Sequence, residues 1–232
     1  NFVSYASILF MSKSSIPSIP SLTNKYGLTD LDIKMGIGLL RTHITSNTRR
    51  NMRLPVWSNF NKLNNGIFVG TTTPSPEKST NCSYGNYQTS SSLSNTKTAE
   101  KIVQASSRCV NDANNRWNKP YNLHNIHKYN YKIEILDDMK TWKEYTPEQL
   151  IKNKFIPHPN RGALLKLSGT SGSATYLPVV AQDHPQWALD EYLGNLSKKA
   201  GGNYDSWREK GTKIKIYTTQ TYFWNYGYQS FT

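Results

Sequence analysis

Between Gly162 and Gly202 two apolar runs flank a glycine-rich turn and lead into an amphipathic stretch, and this unit limits most what the chain can fold into. GALLKLS and SATYLPVV lie on either side of GTSGS, whose glycines permit a tight reversal, so the pair predicts a β-hairpin. Alternation in SATYLPVV puts Ala174, Tyr176 and Val179 on one side and Thr175 and Leu177 on the other. Pro178 has no ladder donor and ends the regular pairing. PQWALDEYLGNLSKKAGG then predicts a helix with Trp187, Leu189, Tyr192, Leu193 and Leu196 inward and Gly201 and Gly202 at its end. A hairpin covered by the helix that follows it is an α+β arrangement.

The rest of the chain gives similar signals in mixed order. LTDLDIKMGIGLLRTHITSNTRR predicts a helix over about 30–48, capped by Thr29 or Asp30, with Leu31, Met35, Leu39 and Ile44 on one face. Gly36 and Gly38 each weaken it by about 1 kcal/mol unless close packing compensates. MRLPVWSNF and NNGIFVGTTT predict two strands, and residues 72–95, nearly free of aliphatic side chains, predict a long loop or insertion. KTAEKIVQASSRCVNDANNRW sets Ile102, Ala105, Cys109, Ala113 and Trp117 along one face of a second helix, which makes Cys109 a small core residue. YNYKIEILDD alternates Tyr131, Ile133 and Ile135 with Lys132 and Glu134, as a strand with one wet face does. TPEQLIKN reads as a short helix capped by Thr146 with Glu148 or Gln149, YDSWREK as a helical turn and TKIKIYTTQTYFW as a final strand. The expected fold is therefore an α+β domain over 28–224, an antiparallel sheet flanked by helices. An extended arm over 1–27, where Pro17 and Pro20 oppose helix, and a tail over 225–232 complete it.

Charge is unevenly spread. The formal net charge is +13, and residues 1–135 hold 16 Lys and Arg against 6 Asp and Glu, whereas residues 136–232 hold 12 against 9. Such a field attracts polyanions without choosing among nucleic acid, lipid heads and acidic proteins. The candidate polyanion-binding residues are Arg41, Arg49, Arg50, Arg53, Lys62, Arg108, Arg116, Lys119 and Lys128, interleaved with Tyr84, Tyr87 and Tyr121. Cations among aromatics suit phosphates and unstacked bases, but no recognised nucleic-acid motif accompanies them, and a solvated face is the simpler reading.

Other patterns carry little chemistry. Two cysteines are too few for a disulfide framework or a cysteine zinc site, and His124 and His127 lack a third ligand nearby. SGTSGS leads into a strand and lacks the Gly-Lys-Ser/Thr ending of a phosphate loop, and Asp183 and His184 have no nucleophile elbow to serve. No cofactor or metal is expected. No apolar run reaches the roughly 18 residues that span a bilayer. NFVSYASILF lacks the basic residues that precede a secretory signal, so the expected setting is intracellular: cytoplasm, nucleus or virion.

The strand residues Ala174, Thr175, Tyr176, Leu177 and Pro178, followed by Lys199, Ala200, Gly201 and Trp207, form a pattern that resembles the AMMECR-one domain family, named for a product of the Alport syndrome chromosomal region. The likeness extends through KIEIL and RGALLKL over roughly residues 28–222. The family's other signature, Leu-Arg-Gly-Cys-Ile-Gly, falls on Asn65, Gly66, Ile67, Phe68, Val69 and Gly70, so Val69 and Gly70 keep its character while the guanidinium and the thiol are missing. The resemblance implies a two-part α+β fold around an antiparallel sheet and no settled activity. A reaction needing that thiol as nucleophile, or that Arg to hold an anion, cannot run here with the same groups. The leading expectation is a non-catalytic binding or structural module that docks through its arm and basic face onto a larger particle or nucleoprotein assembly. Direct RNA or DNA binding, and an enzyme using other groups in the family cleft, are the alternatives.

Overall fold

The structure, a computed structural model, describes residues 25–46, 54, 58–72, 80–86, 98–115, 121 and 129–224. Most of the expected arm and all of the tail lie outside the described residues. Helix α1 (Asp30–Ser46) and strands β1 (Ile67–Thr72) and β2 (Thr80–Asn86) come first, then helix α2 (Thr98–Asn115) and strand β3 (Asn130–Leu136). Strand β4 (Lys143–Tyr145), helix α3 (Pro147–Lys152), strands β5 (Gly162–Lys166) and β6 (Ser173–Tyr176), and helices α4 (Pro178–Asp183) and α5 (Leu189–Lys199) follow. Strands β7 (Lys213–Tyr217) and β8 (Thr219–Trp224) close the described chain.

The strands form two four-stranded antiparallel sheets, ordered β2-β1-β3-β8 and β4-β7-β5-β6. The expected α+β class holds, but the strands divide between two sheets. Helices α1 and α2 cover one face of the first sheet, where Ile37, Leu40, Phe60, Ile67, Val69 and Ile133 form one core. Helix α5 covers the outer face of the second, where Leu165, Leu193, Leu196, Trp207 and Ile214 form another. A third cluster, containing Phe68, Leu136, Trp142, Leu164, Leu177 and Tyr217, joins the two sheets.

Local chemistry accounts for most boundaries. α1 starts in a capping box: Asp32 N donates to Thr29 Oγ1 at 3.2 Å, and Thr29 N donates to Asp32 Oδ2 at 2.9 Å. That start rotates Ile33, Ile37, Leu40 and Ile44 inward and leaves Leu31, expected on the buried face, 49% exposed. Asp32 also accepts from Ser58 Oγ, Asn59 N and Asn59 Nδ2, each at 2.9 Å. Burial raises its pKa, but bonds from Thr29 and Asn59 outweigh burial and hold the carboxyl below its ordinary value. This anchoring turns Asn59–Lys62 into a 3-10 turn and buries Phe60, so the strand expected over 52–60 does not reach its last two residues, while 52, 53 and 55–57 lie outside the described residues. α3 carries the expected capping box of Thr146 and Gln149. Gly201, at φ +88, follows α5 in the left-handed conformation that ends helices.

Four further expectations change. Residues 80–86, assigned to the polar insertion, form β2; residues 73–79 and 87–97 lie outside the described residues. In SATYLPVV the pairing ends before Pro178 as expected, but Pro178 opens α4, where a missing N–H costs nothing, and Val179 packs on the inter-sheet side instead of with Ala174 and Tyr176. TKIKIYTTQTYFW is two strands in different sheets, parted at Thr218. β3 has no wet face: Lys132 and Glu134 are 7% and 2% exposed and form an ion pair at 3.0 Å.

The two helical glycines of α1 differ. A Cβ on Gly36 would lie 2.9 Å from Phe60 Cε2 and 3.0 Å from Ile133 Cδ1, whereas one on Gly38 meets nothing within 4 Å. In urea denaturation, Gly38→Ala is expected to stabilise the protein by about 1 kcal/mol. Gly36→Ala, which forces the core apart, is expected to destabilise it by about 1–3 kcal/mol.

Candidate functional site

Strand β1, which carries the altered motif, lies where the two sheets meet, and the directions of its side chains follow from period-two alternation. On β1, Ile67, Val69 and Thr71 point toward the helices, so Phe68 and Gly70 point the other way. Phe68, at the thiol position, is 6% exposed and packs in the cluster that joins the sheets. On β6, Ala174 and Tyr176 pack in the α5 core, while Leu177 joins the inter-sheet cluster. Thr175 binds the latter side through Tyr217, with their hydroxyls 2.6 Å apart.

On the second sheet the signature residues bind one another. Thr175 Oγ1 donates to the Ala163 carbonyl at 2.9 Å, so the 2.6 Å contact takes the Tyr217 proton, and Tyr217 Oη also lies 3.1 Å from the Tyr176 carbonyl. Lys199 Nζ donates to the Thr175 carbonyl at 2.8 Å and sits 5.1 Å from the centroid of the Tyr176 ring. Trp142 stacks on Tyr217 with centroids 4.6 Å apart, closing the apolar layer. Trp207 is fully buried beside α5. These residues fasten the hairpin to α5.

Across from them, Glu134 is the register partner of Phe68 and Lys132 that of Gly70. Glu134 Oε1 accepts from Thr219 Oγ1 at 3.4 Å, while Oε2 has the Lys132 charge nearby without a directed hydrogen bond. Beside Gly66, at the Arg position, α2 supplies a cation that sequence reading missed. Lys101 is fully buried, and its Nζ donates to the carbonyls of Asn64 at 2.6 Å and Asn65 at 3.0 Å. Burial pushes its pKa down to about 8. The signal was its position four residues before Ala105, on the inner face of α2.

At one end of this region Asp137 joins the strand crossings. Asp137 N donates to the Thr218 carbonyl at 3.1 Å, and the carboxylate accepts from Lys25 Nζ at 2.5 Å, Tyr26 Oη at 2.9 Å and Thr218 Oγ1. Burial raises the Asp137 pKa, but bonds from Lys25, Thr218 and Tyr26, together with the Lys25 charge, outweigh it and hold the carboxyl below its ordinary value.

Of the nine basic candidates, three are described: Arg41 on α1, Lys62 in the 3-10 turn and Arg108 on α2. Lys62 and Arg108 are exposed, Lys62 donating to Asn59 Oδ1 at 2.7 Å, and Arg41 is half-buried close to Tyr131. Arg49, Arg50, Arg53, Arg116, Lys119 and Lys128 lie outside the described residues, as do His124, His127 and Tyr87. Tyr121 is buried, its hydroxyl 2.9 Å from Thr71 Oγ1, so it is a core residue and no stacking platform. Cys109 is buried and unpaired, its thiol directed at the Val69 carbonyl. His184 stacks on Trp187 with centroids 3.9 Å apart. Among the described residues no group of three His, Cys, Asp or Glu is placed to hold a metal, and no helix is long and apolar enough to cross a membrane. Two concavities, of about 300 and 520 Å³, are lined by the Leu167–Gly172 turn with Gly201 and by Phe155 with Trp187; neither includes Phe68, Lys132 or Glu134.

A family model described as AMMECR1 matches residues 41–222. The crystal structure of the uncharacterized protein PH0010 from Pyrococcus horikoshii shares the fold with a TM-score of 0.68 at 18% identity, over 86% of this chain and 94% of that one. No curated protein matches the chain.

A carboxyl held below its ordinary pKa contributes stability that is present above about pH 4 and is lost as pH falls through its folded value. Denaturation midpoints compared at pH 5 and pH 3 should therefore fall more for the wild type than for Asp137→Asn, which has no carboxylate to protonate.

Proposed function

Because the chain belongs to the AMMECR1 family but fills the family's thiol position with Phe68, we propose that it is a non-catalytic binding module that docks onto a larger protein assembly through its basic amino-terminal half. The observation that carries this reading is the burial of Phe68 between the sheets, beside Leu136, Trp142 and Tyr217. A phenyl ring can neither attack an acyl group nor carry one, and its bulk occupies space that a reacting group would need. The nearest charged groups, Lys132 and Glu134, neutralise each other. What remains distinctive is the field of 16 cations against 6 anions in residues 1–135. Lys62 and Arg108 add exposed charge on the side of the first sheet that its helices cover. Such a field steers and holds an acidic partner. The buried, unpaired thiol of Cys109 accords with the intracellular setting that this reading assumes.

Fluorescence anisotropy with labelled polyglutamate and a labelled single-stranded RNA tests the reading. Polyglutamate is expected to bind, more weakly as salt rises, and to lose about tenfold or more in affinity when Arg49, Arg50 and Arg53 are all replaced by Glu. Absence of binding, or binding indifferent to salt and to these substitutions, overturns it. RNA bound more tightly than polyglutamate, with a steep salt slope, establishes nucleic-acid binding instead.

A further inference from the structure

Of the four edge strands, β2, β4, β6 and β8, three are guarded against stray pairing. β4 is three residues long, and its Glu144 is tied to Lys213 and Lys215. On β6, Lys199 covers the Thr175 carbonyl and α5 packs alongside. β2 packs against α2, and its register with β1 slips at Thr71/Thr72. Among the described residues β8 has none of these protections. Its sequence TQTYFW contains no charge, proline or glycine, Phe223 is 57% exposed, and its only strand partner among the described residues is β3.

The hydrogen-bond phase of β8 can be read from its first pair. Asp137 N donates to the Thr218 carbonyl, and the register of β3 with β8 continues from that pair without a bulge. Bonded and non-bonded pairs alternate in an antiparallel ladder, so Gln220 and Tyr222 turn their N–H and C=O groups toward β3. Thr219, Thr221 and Phe223 turn theirs outward, leaving a row of donors and acceptors without a strand partner among the described residues.

We infer that β8 pairs antiparallel with β8 of a second copy of this chain, with Thr221 against Thr221 and Thr219 against Phe223. Neutrality identifies the occupant. In a two-fold antiparallel pair each strand meets its own sequence reversed, so charges of one sign would be held near one another, and this edge has none. The pairing sets Thr against Phe on one face and Gln220 against Tyr222 on the other, and joins the two first sheets into one. Each copy carries +13, so the bodies repel beyond the seam. Salt should therefore tighten the dimer, opposite in sign to its effect on polyanion binding, which keeps a failure here distinct from a failure of the docking reading.

Sedimentation velocity on the full chain, over about two decades of concentration, tests it. The expected result is a mass rising from 26.4 kDa toward twice that, with association tightening as salt rises from about 50 to about 200 mM. Thr221→Pro deletes an outward N–H while sparing the bonds to β3, and should weaken association by about tenfold or more. Amide hydrogen exchange on the wild-type protein provides a readout independent of how that variant folds. Protection at Thr219, Thr221 and Phe223 should appear only on association. A wild type that stays at 26.4 kDa throughout, a folded Thr221→Pro that associates equally well, or amides exposed in the dimer would each overturn the proposal. So would protection already complete in the monomer, which would mean that the chain covers its own edge.

Discussion

Asp137 holds together the two places where the chain passes from one sheet to the other. One passage leaves β3 and enters β4; the other leaves β7 at Thr218 and enters β8. Both run beside the same carboxylate, which takes protons from Lys25, Tyr26 and Thr218, while the Asp137 carbonyl accepts from Trp142 Nε1 at 3.0 Å. That last bond helps set the indole that stacks on Tyr217 and closes the inter-sheet layer. Each sheet buries its other face against its own helices, so the orientation of one to the other rests on this crossing and on the apolar cluster next to it. A carboxylate suits the task because one group accepts several bonds from different segments at once.

The inter-sheet layer has been built around bulk. With a ring at position 68, the space between the sheets is apolar at its centre, and the polar groups around it are consumed internally. Lys132 faces Glu134, Lys101 caps the carbonyls of Asn64 and Asn65, and Thr175 and Tyr217 share a hydrogen bond. Lys101 lies in the loop region where the family carries its arginine, but it comes from another element and points at backbone carbonyls. It stabilises a turn and presents no charge to a ligand.

Elements whose boundaries are chemical were legible in the sequence. The capping box of Thr146 and Gln149, the glycine after α5 and the alternation of β5 and β6 each require particular residue types at particular spacings. What escaped were features that depend on a distant partner. Lys132 and Glu134 alternate with apolar residues as a solvated face would, and only the layer between the sheets reveals that they are buried. TKIKIYTTQTYFW has unbroken β propensity, and its division at Thr218 is a change of neighbour that no local signal records. β2 lacks aliphatic residues and is a strand through pairing with β1. On α1, Leu39 and Ile44 are buried and Met35 packs on the core as expected, but Leu31 matched the period and is exposed, beside the capping box at Thr29 and Asp32. At the candidate site, the loss of the thiol and the guanidinium was visible in the letters, whereas the buried cation of Lys101 was not.

The bond from Lys199 to the Thr175 carbonyl ties the end of a helix to the rim of a sheet, and both of its partners belong to the motif by which this family is recognised. That motif therefore records how the second sheet is assembled. The altered motif sits in the first sheet, which packs on a different core. A lineage is then free to rewrite one while the other persists, and kinship detected through Ala-Thr-Tyr-Leu-Pro and Lys-Ala-Gly speaks for shared architecture without speaking for shared chemistry.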